Sequence, residues 1–241
     1  MANPTVCAVM LTRDRKDMAR KAVEAFRAQT YDPASRYLLI YDTGDQTWYD
    51  PESDSENEVH LVISGDIAKG SIGSLRNKAN ACVNVDVLIH WDSDDWSHPQ
   101  RIVEQVAFLQ SSGADCVAYR ELLFWRDTEA WRYKTGAPSC GSTFCYWRKA
   151  WEKHPFPDVS HGEDVLWRPH VRIVGRSALL VPIPQAEHKD GVWQDLSMEC
   201  EPRMICRIHG GNTETYEPAQ YPDTWTRVPQ FDEYCRAKMA L

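Results

Sequence analysis

Four short clusters carry side chains that could do chemistry. The first is Asp92, Ser93, Asp94 and Asp95, directly after the apolar run 85–91. Alternate residues of a strand point the same way, so Asp92 and Asp94 are expected to converge on one face. Two carboxylates there repel unless something positive lies between them. A hard divalent cation, Mg²⁺ or Mn²⁺, shared with phosphate oxygens, meets that need. A solvated acidic turn capping the next helix fits the same residues. The second cluster is 70–77, GSIGSLRN, a glycine-bearing approach to a helix that carries Arg76 and Asn77. N–H groups at a helix start can face phosphate. The spacing matches neither the P-loop nor the dinucleotide fingerprint, and a capped helix with a surface arginine is the plain reading. The third is His161, Gly162, Glu163 and Asp164. Its acids either complement a helix dipole or supply a carboxylate base to an acceptor hydroxyl. The fourth is His209, Gly210, Gly211 and Asn212, where the glycines leave room for a close approach of backbone to ligand.

The elements around these clusters alternate. Strand-like runs occur at 5–12, 37–41, 59–63 and 85–91. Helical spacing occurs at 15–30, with Met18, Ala22, Val23 and Phe26 on one side. Ser71 can cap a helix reaching about Val85, and Ser97, His98 and Pro99 open another. This rhythm predicts βαβ units and a mostly parallel sheet. After about Asp115 it changes. Cys116–Trp125, Trp131–Tyr133 and Gly141–Trp147 read as antiparallel strands, Gly162–Val171 as helical and Ser177–Ile183 as extended. Asp45–Glu58 reads as an acidic loop, and the tail from Gly211, with Pro218, Pro222 and Pro229, as a wrapping segment.

The 241 residues suit one α/β domain. With 43% hydrophobic and 26% charged residues, disordered and fibrous classes are excluded. The net charge of −8 disfavours broad nucleic-acid binding. The local basic set Arg120, Arg126, Arg132, Lys134, Arg148 and Lys149 reads as solvated surface. Eight cysteines without a Cys-x-x-Cys pair read as reduced thiols, with neither a zinc site nor a disulfide framework. Most of the ten tryptophans are expected in packing. No apolar run approaches the roughly 18 residues of a membrane span, and the first residues do not read as a secretion leader. A cytoplasmic location is expected.

In this order the clusters resemble the GT-A nucleotide-sugar glycosyltransferases, particularly glycosyltransferase family 2, over residues 5–212. Val9–Arg15 sits at that family's opening strand and turn, with Leu11, Arg13 and Asp14 departing from its pattern. Gln29, Thr30 and Tyr31 match its Gln-Thr-Tyr. Residues 41–45 match its acidic base-holding turn, which Thr43 interrupts. Arg76 and Asn77 match its Arg-Asn pair, Asp92 and Asp94 its Asp-x-Asp metal motif, and Glu163 and Asp164 its acceptor-side acids. His209 is similar to a C-terminal histidine that joins the metal in some members.

The resemblance implies a GT-A, Rossmann-like α/β fold. A mostly parallel central sheet is flanked by helices, with a smaller antiparallel sheet on the acceptor side. It divides into a nucleotide-binding half at about 1–114, an acceptor half at about 115–210 and a wrapping tail at 211–241. The implied reaction is metal-dependent, inverting transfer of a sugar from a nucleoside diphosphate, a UDP-sugar first, to a hydroxyl. Thr12, Arg15, Asp42, Arg76, Asn77 and Asp92 would serve the donor. Asp94, His209 and Asp92 would hold Mn²⁺ or Mg²⁺, Asp164 would be the base, and Glu163 would orient the acceptor. The acceptor is open between a glycan and a hydroxylated nucleobase in DNA. A sugar-nucleotidyltransferase or a non-catalytic nucleotide-sugar binding module shares the nucleotide half.

Overall fold

The computed structural model describes residues 3–44, 59–63, 70–136, 140–179, 201–210, 218–221 and 223–240. The chain opens on β1 (Val6–Thr12), whose residues are buried except half-buried Leu11. Its side chains alternate between two cores. Val6, Ala8 and Met10 pack in one with Phe26 and Leu109, and Cys7 and Val9 in the other with Phe156 and Trp167. A strand with both faces apolar must be covered on both sides. Helix α1 (Lys16–Arg27) covers the first face through Ala19, Ala22, Val23 and Phe26. The turn before it holds Asp14 at φ 53°, a left-handed conformation that aspartate tolerates.

Strand β2 (Arg36–Asp42) runs parallel to β1, with Thr12 beside Asp42, and β3 (Val59–Ile63) extends the sheet. Helix α2 (Ile72–Ala81) is capped by Ser71, whose Oγ accepts from the Ser74 N–H at 3.1 Å. Strand β4 (Val87–His90) lies parallel on the other side of β1. The two-residue strand β5 (Trp96–Ser97) and helix α3 (Arg101–Ser112) follow. The second half contains β6 (Cys116–Arg126), β7 (Glu129–Lys134), a 3-10 turn at Gly141–Thr143, β8 (Cys145–Trp147), α4 (Arg148–Lys153), α5 (Glu163–Trp167), β9 (Ile173–Ser177), β10 (Met204–Ile208), β11 (Trp225–Arg227) and α6 (Asp232–Met239).

One sheet connects the two halves, in the order β11-β7-β6-β8-β4-β1-β2-β3. Its parallel part is the expected Rossmann-like unit. The antiparallel strands continue the same sheet through β8, which pairs with both β4 and β6. Among the described residues no helix is long and apolar enough to cross a membrane, and the seven described cysteines are free thiols.

Several expected boundaries move. Helix α2 ends at Ala81, and Val83 and Val85 instead pack against the core from a non-helical segment. Trp96 and Ser97 pair with β10, so the next helix starts only at Arg101, beyond Pro99. Gly141–Thr143 is a 3-10 turn, and the strand begins at Cys145. Helix α5 stops at Trp167, and Arg168–His170 forms a 3-10 turn. Extended structure begins before the expected Ser177, because Ile173–Ser177 form β9 in register with β6. In the tail, β11 joins the sheet beside β7 and α6 packs on β6 and β7. The Asp45–Glu58 loop, residues 180–183, Gly211, Asn212 and Pro222 lie outside the described residues.

Candidate active site

The carboxyl ends of β1, β2 and β4 bring the first cluster together. Strand β4 ends at His90, and Ser93 and Asp94 form a turn, so strand alternation does not align Asp92 with Asp94. The turn does so instead. Ligand oxygens of Asp92, Asp94 and Asp95 all lie within 4.8 Å of one another. Burial raises the Asp92 pKa; Arg76 opposes the rise, and the Asp94 charge adds to it. Burial also raises that of Asp95, and Asp94 and Asp92 push it further up. These half-buried acids repel one another at short range, which a cation between them relieves.

Two cationic or polar arms from distant segments reach Asp94. Arg15, at the start of α1, places Nη1 2.9 Å from Asp94 Oδ2. His209, just past β10, places Nε2 2.9 Å from the same oxygen. Asp95 is committed differently, accepting the Arg207 backbone N–H at 3.0 Å. The three carboxylates form an oxygen donor set that fits Mg²⁺ or Mn²⁺, while the His209 imidazole meets Asp94 from outside that group.

Arg76 joins the two acidic clusters. Its Nε donates to Glu163 Oε1 at 3.1 Å and its Nη2 lies 3.9 Å from Asp92 Oδ1. Burial works against its charge, but Asp92 and Glu163 outweigh burial and hold its pKa above the ordinary value. Glu163 is 7% exposed; burial raises its pKa, and Arg76 counteracts the rise. Asp164, the next residue, accepts the Val165 N–H through Oδ1 at 2.8 Å. Its Oδ2 faces Arg168 at 3.8 Å.

Thr12 and Asp42 sit side by side on β1 and β2, 5% and 3% exposed. Asp42 Oδ1 accepts the Gly44 N–H at 2.8 Å. Among the described residues the buried Thr12 hydroxyl has no hydrogen-bond partner. Asn77 is not brought into this group. Its Oδ1 accepts from Trp151 Nε1 at 2.8 Å and Phe156 N at 3.0 Å, and its Nδ2 donates to the Phe156 carbonyl at 2.8 Å. Asn77 thus pins α2 to the segment after α4, with its carbonyl oxygen fully used there. Gly73 serves the same contact, since a Cβ there would lie 1.9 Å from the Pro157 carbonyl oxygen.

Three residues of the site escaped the sequence reading. Arg101, fully buried, donates to Ser97 Oγ at 2.8 Å and to the His90 and Ser142 carbonyls at 2.8 and 3.1 Å, and it lies over the Trp91 ring. It is a fixed positive charge below the acids. His90 is 1% exposed and its Nδ1 lies 2.6 Å from the Gly141 carbonyl. Burial, aided by Arg76, lowers its pKa well below the ordinary value. Gly141 in turn lies directly against the Asp164 carboxylate. A histidine and an arginine inside otherwise apolar segments were the available signals. The expected basic surface set is dispersed: Arg132 pairs with Glu121 and Arg148 with Glu152.

No family profile matches the sequence, and no curated protein resembles it. Solved structures do share its fold. Staphylococcus aureus TarS superposes with a TM-score of 0.59 at 13% identity, covering 85% of this chain and 37% of that one. TarS 1–349 in complex with UDP-GlcNAc gives 0.59 at 11% identity, covering 91% and 64%. The mannosyltransferase PcManGT from Pyrobaculum calidifontis, in complex with GDP-Man and Mn²⁺, gives 0.55 at 14%, covering 73% and 56%. The chain therefore spans between about a third and two thirds of the length of these proteins. The fold is the GT-A-like fold of nucleotide-sugar glycosyltransferases.

Proposed function

We propose that this chain transfers a sugar from a nucleoside-diphosphate sugar to an acceptor hydroxyl, with inversion, using a divalent cation. The observation that carries the reading is the bridge Asp92–Arg76–Glu163, in which Arg76 ties an acidic metal-type cluster to an acceptor-side acid pair. A sugar-nucleotidyltransferase needs the first cluster and has no use for the second. The neighbours' UDP-GlcNAc and GDP-Man complexes support a nucleotide-sugar donor.

Asp94, with His209 and Asp92, would hold the cation. Mn²⁺ or Mg²⁺ bound there supplies positive charge to the leaving diphosphate. Thr12 and Asp42, at adjacent strand ends, face the nucleoside. Arg15, paired with Asp94, would serve the donor's diphosphate. Asp164 takes the proton of the acceptor hydroxyl as its oxygen bonds to the anomeric carbon. The bond from that carbon to the diphosphate oxygen breaks, and the electron pair leaves with the diphosphate. One displacement at one carbon inverts its configuration. Glu163, fixed by Arg76, holds the α5 start that carries Asp164. The 1–114 segment is the donor half and 115–210 the acceptor half, with the tail after 211 bracing the second.

The test is a panel of UDP- and GDP-sugars with Mn²⁺ or Mg²⁺, read as nucleotide release and as protection against heat unfolding, since a ligand of the folded state raises its stability. Protection by one nucleotide class that EDTA removes is the expected result. Release that EDTA leaves untouched overturns the metal assignment, and formation of a nucleotide sugar from sugar phosphate and nucleoside triphosphate overturns the transfer reading.

A further inference from the structure

Asp164 has an unusual floor. Its Oδ2, Cβ and Cγ would lie 2.5, 2.7 and 2.8 Å from a Cβ placed on Gly141. Any side chain there would push the carboxylate away, so the glycine exists for this contact. The turn bearing Gly141 is held from several sides. Thr143 N and Oγ1 donate to the Cys140 carbonyl at 3.0 and 2.6 Å. Thr143 Oγ1 accepts from Tyr119 N at 2.9 Å, and Gln105 Nε2 donates to the Thr143 carbonyl at 2.7 Å. Arg101 holds the Ser142 carbonyl.

The Gly141 carbonyl itself meets His90 Nδ1 at 2.6 Å. A carbonyl can only accept, so Nδ1 carries the proton. The opposite nitrogen, Nε2, lies 3.3 Å from Tyr146 Oη, which accepts from Asn80 Nδ2 at 2.9 Å. The imidazole is therefore oriented from both ends, by the Gly141 carbonyl and the Tyr146 hydroxyl. Phe144, Tyr146 and Phe156 pack around its ring. His90 is the last residue of β4, two before Asp92. It fixes the separation between the strand that delivers the acidic cluster and the turn on which Asp164 rests.

We propose that His90 and Gly141 are positioning residues for Asp164, setting its carboxylate against the reacting hydroxyl. This rests on the glycosyl-transfer reading and on Asp164 as its base. Neither residue touches substrate. Their effect passes through the Gly141 backbone, and a displacement of about 1 Å at a base can cost on the order of 10²-fold in rate.

The experiment is a double-mutant cycle in the full chain. Gly141→Ala and His90→Phe are made alone and in an Asp164→Asn background. Each is assayed for nucleotide release from UDP- and GDP-sugars with Mn²⁺, and for UDP binding in the presence of Mn²⁺ by calorimetry. Each single variant is expected to lose roughly 10- to 100-fold in turnover with UDP binding unchanged. His90→Asn, which retains an N–H for the carbonyl, is expected to recover most of the His90→Phe loss. In the Asp164→Asn background neither change lowers turnover further, because groups acting as one unit are not additive. Equal losses in both backgrounds, or full activity of Gly141→Ala, overturn the proposal. If Asp164→Asn matches wild type, the base assignment fails and this role fails with it, while sugar transfer stands. If wild type turns over no nucleotide sugar and binds no UDP, the transfer reading itself fails.

Discussion

His209 Nε2 lies 2.9 Å from Asp94 Oδ2, across 115 positions of sequence. Arg15 Nη1 reaches the same oxygen at the same distance from the other direction. Asp94 is thus the point where the β1 turn, the β4 turn and the end of β10 meet. A cation arriving there must share or displace a group already present. Its affinity is expected to depend on the diphosphate that arrives with it, since phosphate oxygens complete a Mg²⁺ or Mn²⁺ shell.

Asp94→Asn removes the anionic ligand and keeps the shape. The variant is expected to fold and to lose the Mn²⁺-dependent part of its heat protection by UDP. Thermal unfolding with UDP, with and without Mn²⁺ and EDTA, reads this directly. Protection by UDP and Mn²⁺ equal to that of wild type would place the cation elsewhere.

His209→Ala separates the two metals. An imidazole nitrogen suits Mn²⁺ better than Mg²⁺. Apparent Mn²⁺ affinity in the presence of UDP is expected to fall by about 10-fold, the lower end for disturbing a site's supporting shell, and Mg²⁺ affinity by less. Equal losses for both ions would make His209 a partner of Asp94 and nothing more.

Asp164→Asn tests the base against a purely structural role. A base acts in the transition state, so turnover is expected to fall on the order of 10²-fold or more with UDP binding intact. As a helix-start acid alone, Asp164 would contribute about 1 kcal/mol or less to stability, and turnover would survive. Parallel measurements on Glu163→Gln show which acid of the pair carries the reaction.

The parallel half was legible because its signals are local. The run VCAVMLT and the Phe26 face of α1 each declare an element within a dozen residues. The acids at 92 and 94 were legible as a pair, though a turn and not strand alternation aligns them. What was illegible depends on distant partners. Ser97 read as part of a helix entry because β10, whose Met204 pairs with it, lies more than 100 residues on. Val83 and Val85 continued a helical pattern, but their apolar character serves core packing from a non-helical segment. Asn77 read as a donor contact, and only the position of Trp151 and Phe156 shows where its amide is spent. Gly141 carried no local signal, because its reason is the side chain at 164.

Gly73→Ala probes the contact between α2 and the segment before α5. The added Cβ would lie 1.9 Å from the Pro157 carbonyl oxygen and 3.3 Å from Glu163 Cβ. The obstructing atom is backbone, so α2 itself must shift. Overpacking of this kind costs about 1–3 kcal/mol, read by denaturant unfolding. Arg76 rides on α2 and donates to Glu163, so turnover is expected to fall as well. Unchanged stability would mean the two segments separate freely.

Asp232 gives the pH dependence of the tail. Its Oδ2 lies 2.5 Å from Arg227 Nη2 and its Oδ1 accepts the Ala130 N–H at 2.8 Å. The hydrogen bond from Arg227, with help from the Ala130 N–H, holds its pKa below the ordinary carboxylate value, which is about 3.9. A depressed folded pKa means that the unfolded chain takes up the proton first. The contribution is therefore complete above the ordinary value and is lost as pH falls through that value and then through the depressed one. Wild type and Asp232→Asn are expected to differ in thermal stability by a constant amount from pH 7 to about 5. The difference should shrink below about pH 4 as the aspartate becomes neutral like the amide. The pair is partly exposed, so the gap at neutral pH is modest and salt narrows it. The buried Trp225, the first residue of β11, stacks edge-on against Phe124 with centroids 4.8 Å apart, so the ion pair sits beside the aromatic packing that holds the tail to the sheet. A gap that stays constant down to about pH 2 would show that the aspartate acts through its shape and its bond to Ala130, with no contribution from its charge.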